Sequence, residues 1–179
     1  MDKKRNIVLI GMPASGKSTI GVLLAKELGL DFVDLDIVIQ TGEGKTLAEI
    51  IAQKGMQEFL KIEEKYLVNA DYCGFVIAPG GSSVYSAKGM DSLRKTSIII
   101  YFNLSLKFLK KRLSSLDARG VVRTPGQNIE DIYNERALLY EKYADIIFDC
   151  DFLTPDQIVS GLMTKMTNQG NIIQRRKNE

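Results

Sequence analysis

The sequence predicts a three-layer α/β/α protein built on a five-stranded parallel sheet. Short apolar runs alternate with helical patterns along the whole chain, which is the signature of βαβ units. The runs are nearly continuous, Ser97-Ile98-Ile99-Ile100-Tyr101-Phe102 being the clearest, as suits strands covered on both faces. A glycine-rich turn also sits between the first run and the first helix, where α/β sheets hold phosphates. The 179 residues suit one domain with a full core.

Taken in order, strands are expected at 6–10, 31–35, 74–78, 97–102 and 145–149. Helices are expected at about 17–28, 46–53, 56–70, 86–95, 105–115, 128–142 and 155–166. Thr46 with Glu49 resembles a capping box, and Thr154-Pro155 an N-cap followed by proline at the first helical position. Residues 116–127 break the rhythm, with two arginines, two glycines and a proline and no clean period. The domain is expected to span 1–166, with 167–179 a polar tail that frays.

Lys plus Arg number 24 and Asp plus Glu 22, so the strong basic excess of a nucleic-acid binder is missing. No stretch reaches membrane-spanning length, and the apolar run after Asp2-Lys3-Lys4-Arg5 is too short for a signal peptide. Cys73 and Cys150 form no metal pattern and read as reduced, buried thiols of a cytoplasmic protein. Histidine is absent, so a general base must be a carboxylate, a lysine, a tyrosine or the phosphate itself.

Residues 11–18, Gly-Met-Pro-Ala-Ser-Gly-Lys-Ser, fit G-x-x-x-x-G-K-[ST] without a mismatch. Backbone N–H groups around Gly11, Ala14, Ser15, Gly16 and the helix start at Thr19 can wrap the phosphates of a nucleoside triphosphate. Lys17 can reach the β- and γ-phosphates, and Ser18 can hold Mg2+. Asp34 and Asp36 end the predicted second strand. There i and i+2 face one side, so both carboxylates would enter one crevice. The bland alternative is a polar strand end with a helix N-cap. Gly80-Gly81 follows the third strand and would let a ligand approach the backbone, or is an ordinary turn. Arg136, read alone, is a solvated helix arginine.

In this order the pieces resemble the shikimate kinase family over roughly residues 6–166. Gly16 to Ala25 looks like the family's start, and Asp34-x-Asp36 matches its D-x-D. Phe59-x-x-x-Glu63 matches part of its F-R-x-x-E, and Gly80-Gly81 the first two of its three glycines. Arg136-x-x-Leu139-Tyr140 matches most of its R-x-P-L-Y, and Asp149 to Pro155 resembles its adenine-side loop. The resemblance implies strand order 2-3-1-4-5, a mobile lid at 116–127, and transfer of the ATP γ-phosphoryl group to a small-molecule hydroxyl. By position it makes Asp34 a metal support through water and Asp36 the residue that orients the hydroxyl. Gly80, Gly81 and Arg136 line the acceptor side, Arg112 and Pro155 the adenine side. Arg119 is then the catalytic lid arginine, with Arg123 competing. A monomer is expected.

The match fails on the acceptor side. The family's second substrate arginine is Leu60 here, and Lys61 points about 100° away on a helix. Losing one charge-assisted bond costs roughly 1.5–3 kcal/mol. Ser82 and Leu138 replace a glycine and a proline. These departures, with Glu63 left as a possible partner for an ammonium group, make a hydroxyl amino acid such as homoserine the alternative acceptor. A nucleotide kinase lacks its D-G-[FY]-P-R segment here, a GTPase its N-K-x-D. A non-catalytic ATP-binding protein is the rival from another class.

Overall fold

A computed structural model describes residues 6–115 and 126–168. Five parallel strands form one sheet: β1 (Asn6–Ile10), β2 (Asp31–Asp34), β3 (Phe75–Ala78), β4 (Ser97–Asn103) and β5 (Ile146–Asp149). Their order is β2-β3-β1-β4-β5. In register, Ile7 of β1 stands between Val76 of β3 and Ile98 of β4. Every residue of β1, and all of β4 but Asn103, is buried, which requires cover on both faces. The edge strands β2 and β5 are more exposed.

The cover comes from α1 (Lys17–Leu28), α2 (Leu35–Glu43), α3 (Leu47–Lys54), α4 (Met56–Val68), α5 (Ala87–Thr96), α6 (Leu106–Ser115), α7 (Ile129–Tyr143) and α8 (Pro155–Asn168). A 3-10 turn spans Ser83–Tyr85. Gly21 lets α1 lie directly against Phe32, since a Cβ there would collide with the ring. Thr46 and Glu49 form the expected capping box of α3, and Thr154 and Gln157 exchange bonds at the start of α8. The strands and seven helices lie within one or two residues of expectation.

One element corrects the reading. The second strand stops at Asp34, and Leu35 opens a helix that the sequence pattern left unassigned. Asp34 is its N-cap, its Oδ1 accepting from the Asp36 N–H at 3.0 Å, and Gly44 ends it in a left-handed conformation. Asp34 and Asp36 therefore do not share a strand face by alternation.

After β1 the chain builds one side of the sheet through β2 and β3, then crosses to β4 and β5. Such a reversal opens a crevice at the carboxyl ends of the strands, where α/β sheets bind ligands.

Candidate active site

The turn after β1 is shaped by backbone that side chains resist. Gly11 has φ +146°, and a Cβ there would lie 2.9 Å from the Phe102 carbonyl oxygen. Ala14 (φ +64°) and Gly16 (φ +103°) are also left-handed, which turns successive N–H groups inward. Gly16 caps α1 without a side chain, leaving the first N–H groups of the helix for an anion. Ser15 Oγ is buried with no hydrogen-bond partner among the described residues, a donor suited to a phosphate oxygen. These features fit a nucleoside triphosphate.

Lys17 Nζ donates to the carbonyls of Gly11 (2.9 Å) and Met12 (3.0 Å), which holds the ammonium along the turn. Burial pushes its pKa down to about 8, opposed by the charges of Asp36 and Asp34. Asp36 moves the other way. Burial and the neighbouring Asp34 raise it to about 6 against the pull of Lys17. Ser18 Oγ donates to Asp34 Oδ2 at 2.6 Å. A hydroxyl and a carboxylate oxygen are hard donors that fit Mg2+ delivered with phosphates and water. Among the described residues no group of three or more Cys, Asp or Glu side chains forms a self-sufficient metal site.

One crevice of about 280 Å³ gathers Ala14, Lys17, Ser18, Asp34, Asp36, Gly80, Gly81 and Arg136. The two aspartates thus share it by a route the sequence did not show: one ends the strand, the other sits in the first turn of α2. Gln40 and Leu47 line it too and went unpredicted, Gln40 because α2 was not recognised and Leu47 because it is the first residue of α3, an expected helix, and carries no chemical signal. Arg136 is not a solvated arginine; it is 1% exposed, with its Nε directed to Tyr85. Tyr140, one turn along α7, donates to the Gly81 carbonyl at 2.7 Å and ties helix to turn.

Glu63 is buried beside the Gly80-Gly81 turn. Its Oε2 accepts from Ser82 Oγ at 2.7 Å, and burial raises its pKa to about 7. Lys61 is exposed and paired with Glu58, so it takes no part in the crevice. Leu60 lines a neighbouring groove of about 150 Å³ together with Glu63, Ser82 and Tyr85.

On the other side of the turn, Arg112 donates to the carbonyls of Ala14 (3.2 Å) and Ser15 (3.0 Å). Pro155 opens α8 beyond β5. Arg119 and Arg123, with most of the expected lid, lie outside the described residues.

The family model for shikimate kinase matches residues 13–167. The chain belongs to the shikimate kinase family. A shikimate kinase of Thermodesulfovibrio yellowstonii is 34% identical over 170 residues, covering 93% of this chain and 98% of that one. One from Sulfurihydrogenibium is 33% identical over 165 residues, covering 90% and 98%. Among solved structures, Aquifex aeolicus shikimate kinase superposes with TM-score 0.80 at 26% identity, over 92% of this chain and 98% of that one. The Acinetobacter baumannii enzyme, solved with shikimate, gives TM-score 0.84 at 23% identity, over 92% and 94%, and so speaks for the fold. Family membership and the phosphate loop together make this chain an ATP-dependent phosphotransferase acting on a hydroxyl.

Proposed function

We propose that the chain transfers the γ-phosphoryl group of Mg·ATP to a hydroxyl of shikimate, giving shikimate 3-phosphate. The observation that carries this reading is one crevice holding a phosphate-loop lysine, a buried carboxylate raised to about 6 and a buried arginine. Asp36 orients the attacking hydroxyl and accepts its proton, a role its raised pKa suits near neutrality. Lys17 and the N–H groups of the turn hold the transferring phosphates in line. Ser18 and Asp34 would hold the Mg2+ that neutralises charge on the β- and γ-phosphates. Arg136 pairs with the acceptor's carboxylate, and Gly80 and Gly81 let the ring lie against the backbone. Arg112 and Pro155 fall on the adenine side, and the transition-state charge is assigned to Arg119 first and Arg123 second. The enzyme is read as a cytoplasmic monomer; among the described residues no helix is long and apolar enough to cross a membrane.

Homoserine would need a carboxylate for its ammonium group. Glu63 is the candidate the sequence offered, and it is bound to Ser82 and buried, which disfavours its charged form. Shikimate is therefore the first reading. An assay of ADP release with shikimate, homoserine, gluconate and a nucleoside monophosphate tests it. Shikimate should be turned over, and Asp36→Asn should cut kcat by about a hundred- to ten-thousand-fold while ATP still binds. Turnover of homoserine without shikimate would sink the reading.

A further inference from the structure

Among the described residues, the buried guanidinium of Arg136 lines the crevice, and its Nε edge is bound by a residue the function has not yet used. Arg136 Nε lies 3.2 Å from Tyr85 Oη, and its Cζ sits 5.2 Å from the centroid of the same ring. A guanidinium offers a carboxylate two forks, the Nε–Nη side and the Nη1–Nη2 end. We propose that Tyr85 is a positioning residue for the acceptor: it takes the Nε edge of Arg136, so the acceptor's carboxylate is gripped through the Nη1–Nη2 end alone. This inference rests on the proposed function.

The surroundings support a preset fork. Tyr85 closes the 3-10 turn that follows Gly80 and Gly81, so the segment lining the acceptor side also orients the arginine. A Cβ on Gly81 would lie 3.3 Å from Arg136 Nη1, so the guanidinium packs against that turn. Tyr140 shares a face of α7 with Arg136, four residues on, and its bond to the Gly81 carbonyl fixes helix and turn to one another. Tyr85→Phe removes the bond that occupies the Nε edge and so opens the Nε–Nη side to the acceptor. Position 60, a leucine, supplies no second guanidinium to hold the carboxylate meanwhile.

Tyr85→Phe keeps the ring and removes the hydroxyl. Its KM for shikimate should rise about tenfold, with the KM for ATP and the melting temperature little changed. The readout that separates orientation from packing is the carboxamide of shikimate. The preference for acid over amide should shrink by the same factor, because only the acid uses the fork. In an Arg136→Lys background, where no Nε edge exists, Tyr85→Phe should add nothing. An unchanged shikimate KM, an equal rise for acid and amide, or full additivity with Arg136→Lys overturns the inference while an active wild type leaves the function standing. A wild type inactive on shikimate overturns both.

Discussion

Burial moves Asp36 and Lys17 in opposite directions on the pH scale, up to about 6 and down to about 8. In the proposed reaction, transfer needs Asp36 ionised to accept the hydroxyl proton and Lys17 charged to hold the phosphates. Below about 6 the carboxyl binds its proton and the base is lost; above about 8 the ammonium gives its proton up. With both substrates well below saturation, the rate reports the unliganded enzyme, and it should rise to a plateau between limbs near 6 and 8. Glu63 ionises inside that window, near 7, and serves as the control. Its negative charge supports the Lys17 ammonium, so Glu63→Gln should move the basic limb down and leave the acidic limb in place. An acidic limb near pH 4 would remove Asp36 from the role of base. None of these shifts was readable in the chain. Glu63 looked like a charge awaiting an ammonium group, and Arg136, without the family resemblance, like a surface arginine, because burial is made by distant segments.

At the scale of elements, the apolar strands and capped helices were legible because each carries its own signal. The exception is α2. Leu35-Asp36-Ile37-Val38-Ile39 is rich in β-branched residues and looks like a continuing strand. The helix wins because Asp34 caps it and because Leu35 and Ile39, four apart, bury one face against different neighbours. That turn of chain carries Asp36 into the crevice opposite Gly80. A Cβ on Gly80 would lie 2.6 Å from both Asp36 Oδ1 and Glu63 Oε1. The glycine in the turn after β3 thus makes room for the close approach of two acidic side chains, a contact that spacing alone could not reveal. Gly80→Ala should force the carboxylates apart, costing about 1–3 kcal/mol in thermal or urea unfolding. It should also lower kcat, with ATP affinity unchanged because the phosphate loop is untouched. Wild-type stability and kcat would show that the turn gives way without moving Asp36.

Across the whole molecule the two halves of the crevice rest on cores of unequal size. The phosphate loop is anchored in the main core, to which Met12, Ile20 and Leu24 belong together with β1 and β4. The far wall, with Gln40 and Leu47, belongs to a small cluster of Ile39, Ile50, Phe59 and Ile62 from α2, α3 and the first half of α4. Leu67, at the other end of α4, already lies in the main core. A unit with few buried apolar side chains opens at lower free energy than the sheet it leans on. Amides in 36–62 should therefore exchange faster than those of β1 and β4. An acceptor that touches this wall stabilises the closed unit by mass action, about 2.7 kcal/mol or a hundredfold in exchange at a concentration of a hundred times Kd. ATP, held by the main core, should protect the phosphate loop and α1 and leave 36–62 nearly as before. Hydrogen exchange read by mass spectrometry, with shikimate and ATP added separately, distinguishes the two. Equal protection of 36–62 by either ligand would mean that the crevice is one rigid body, and that the acceptor wall has no stability of its own to regulate.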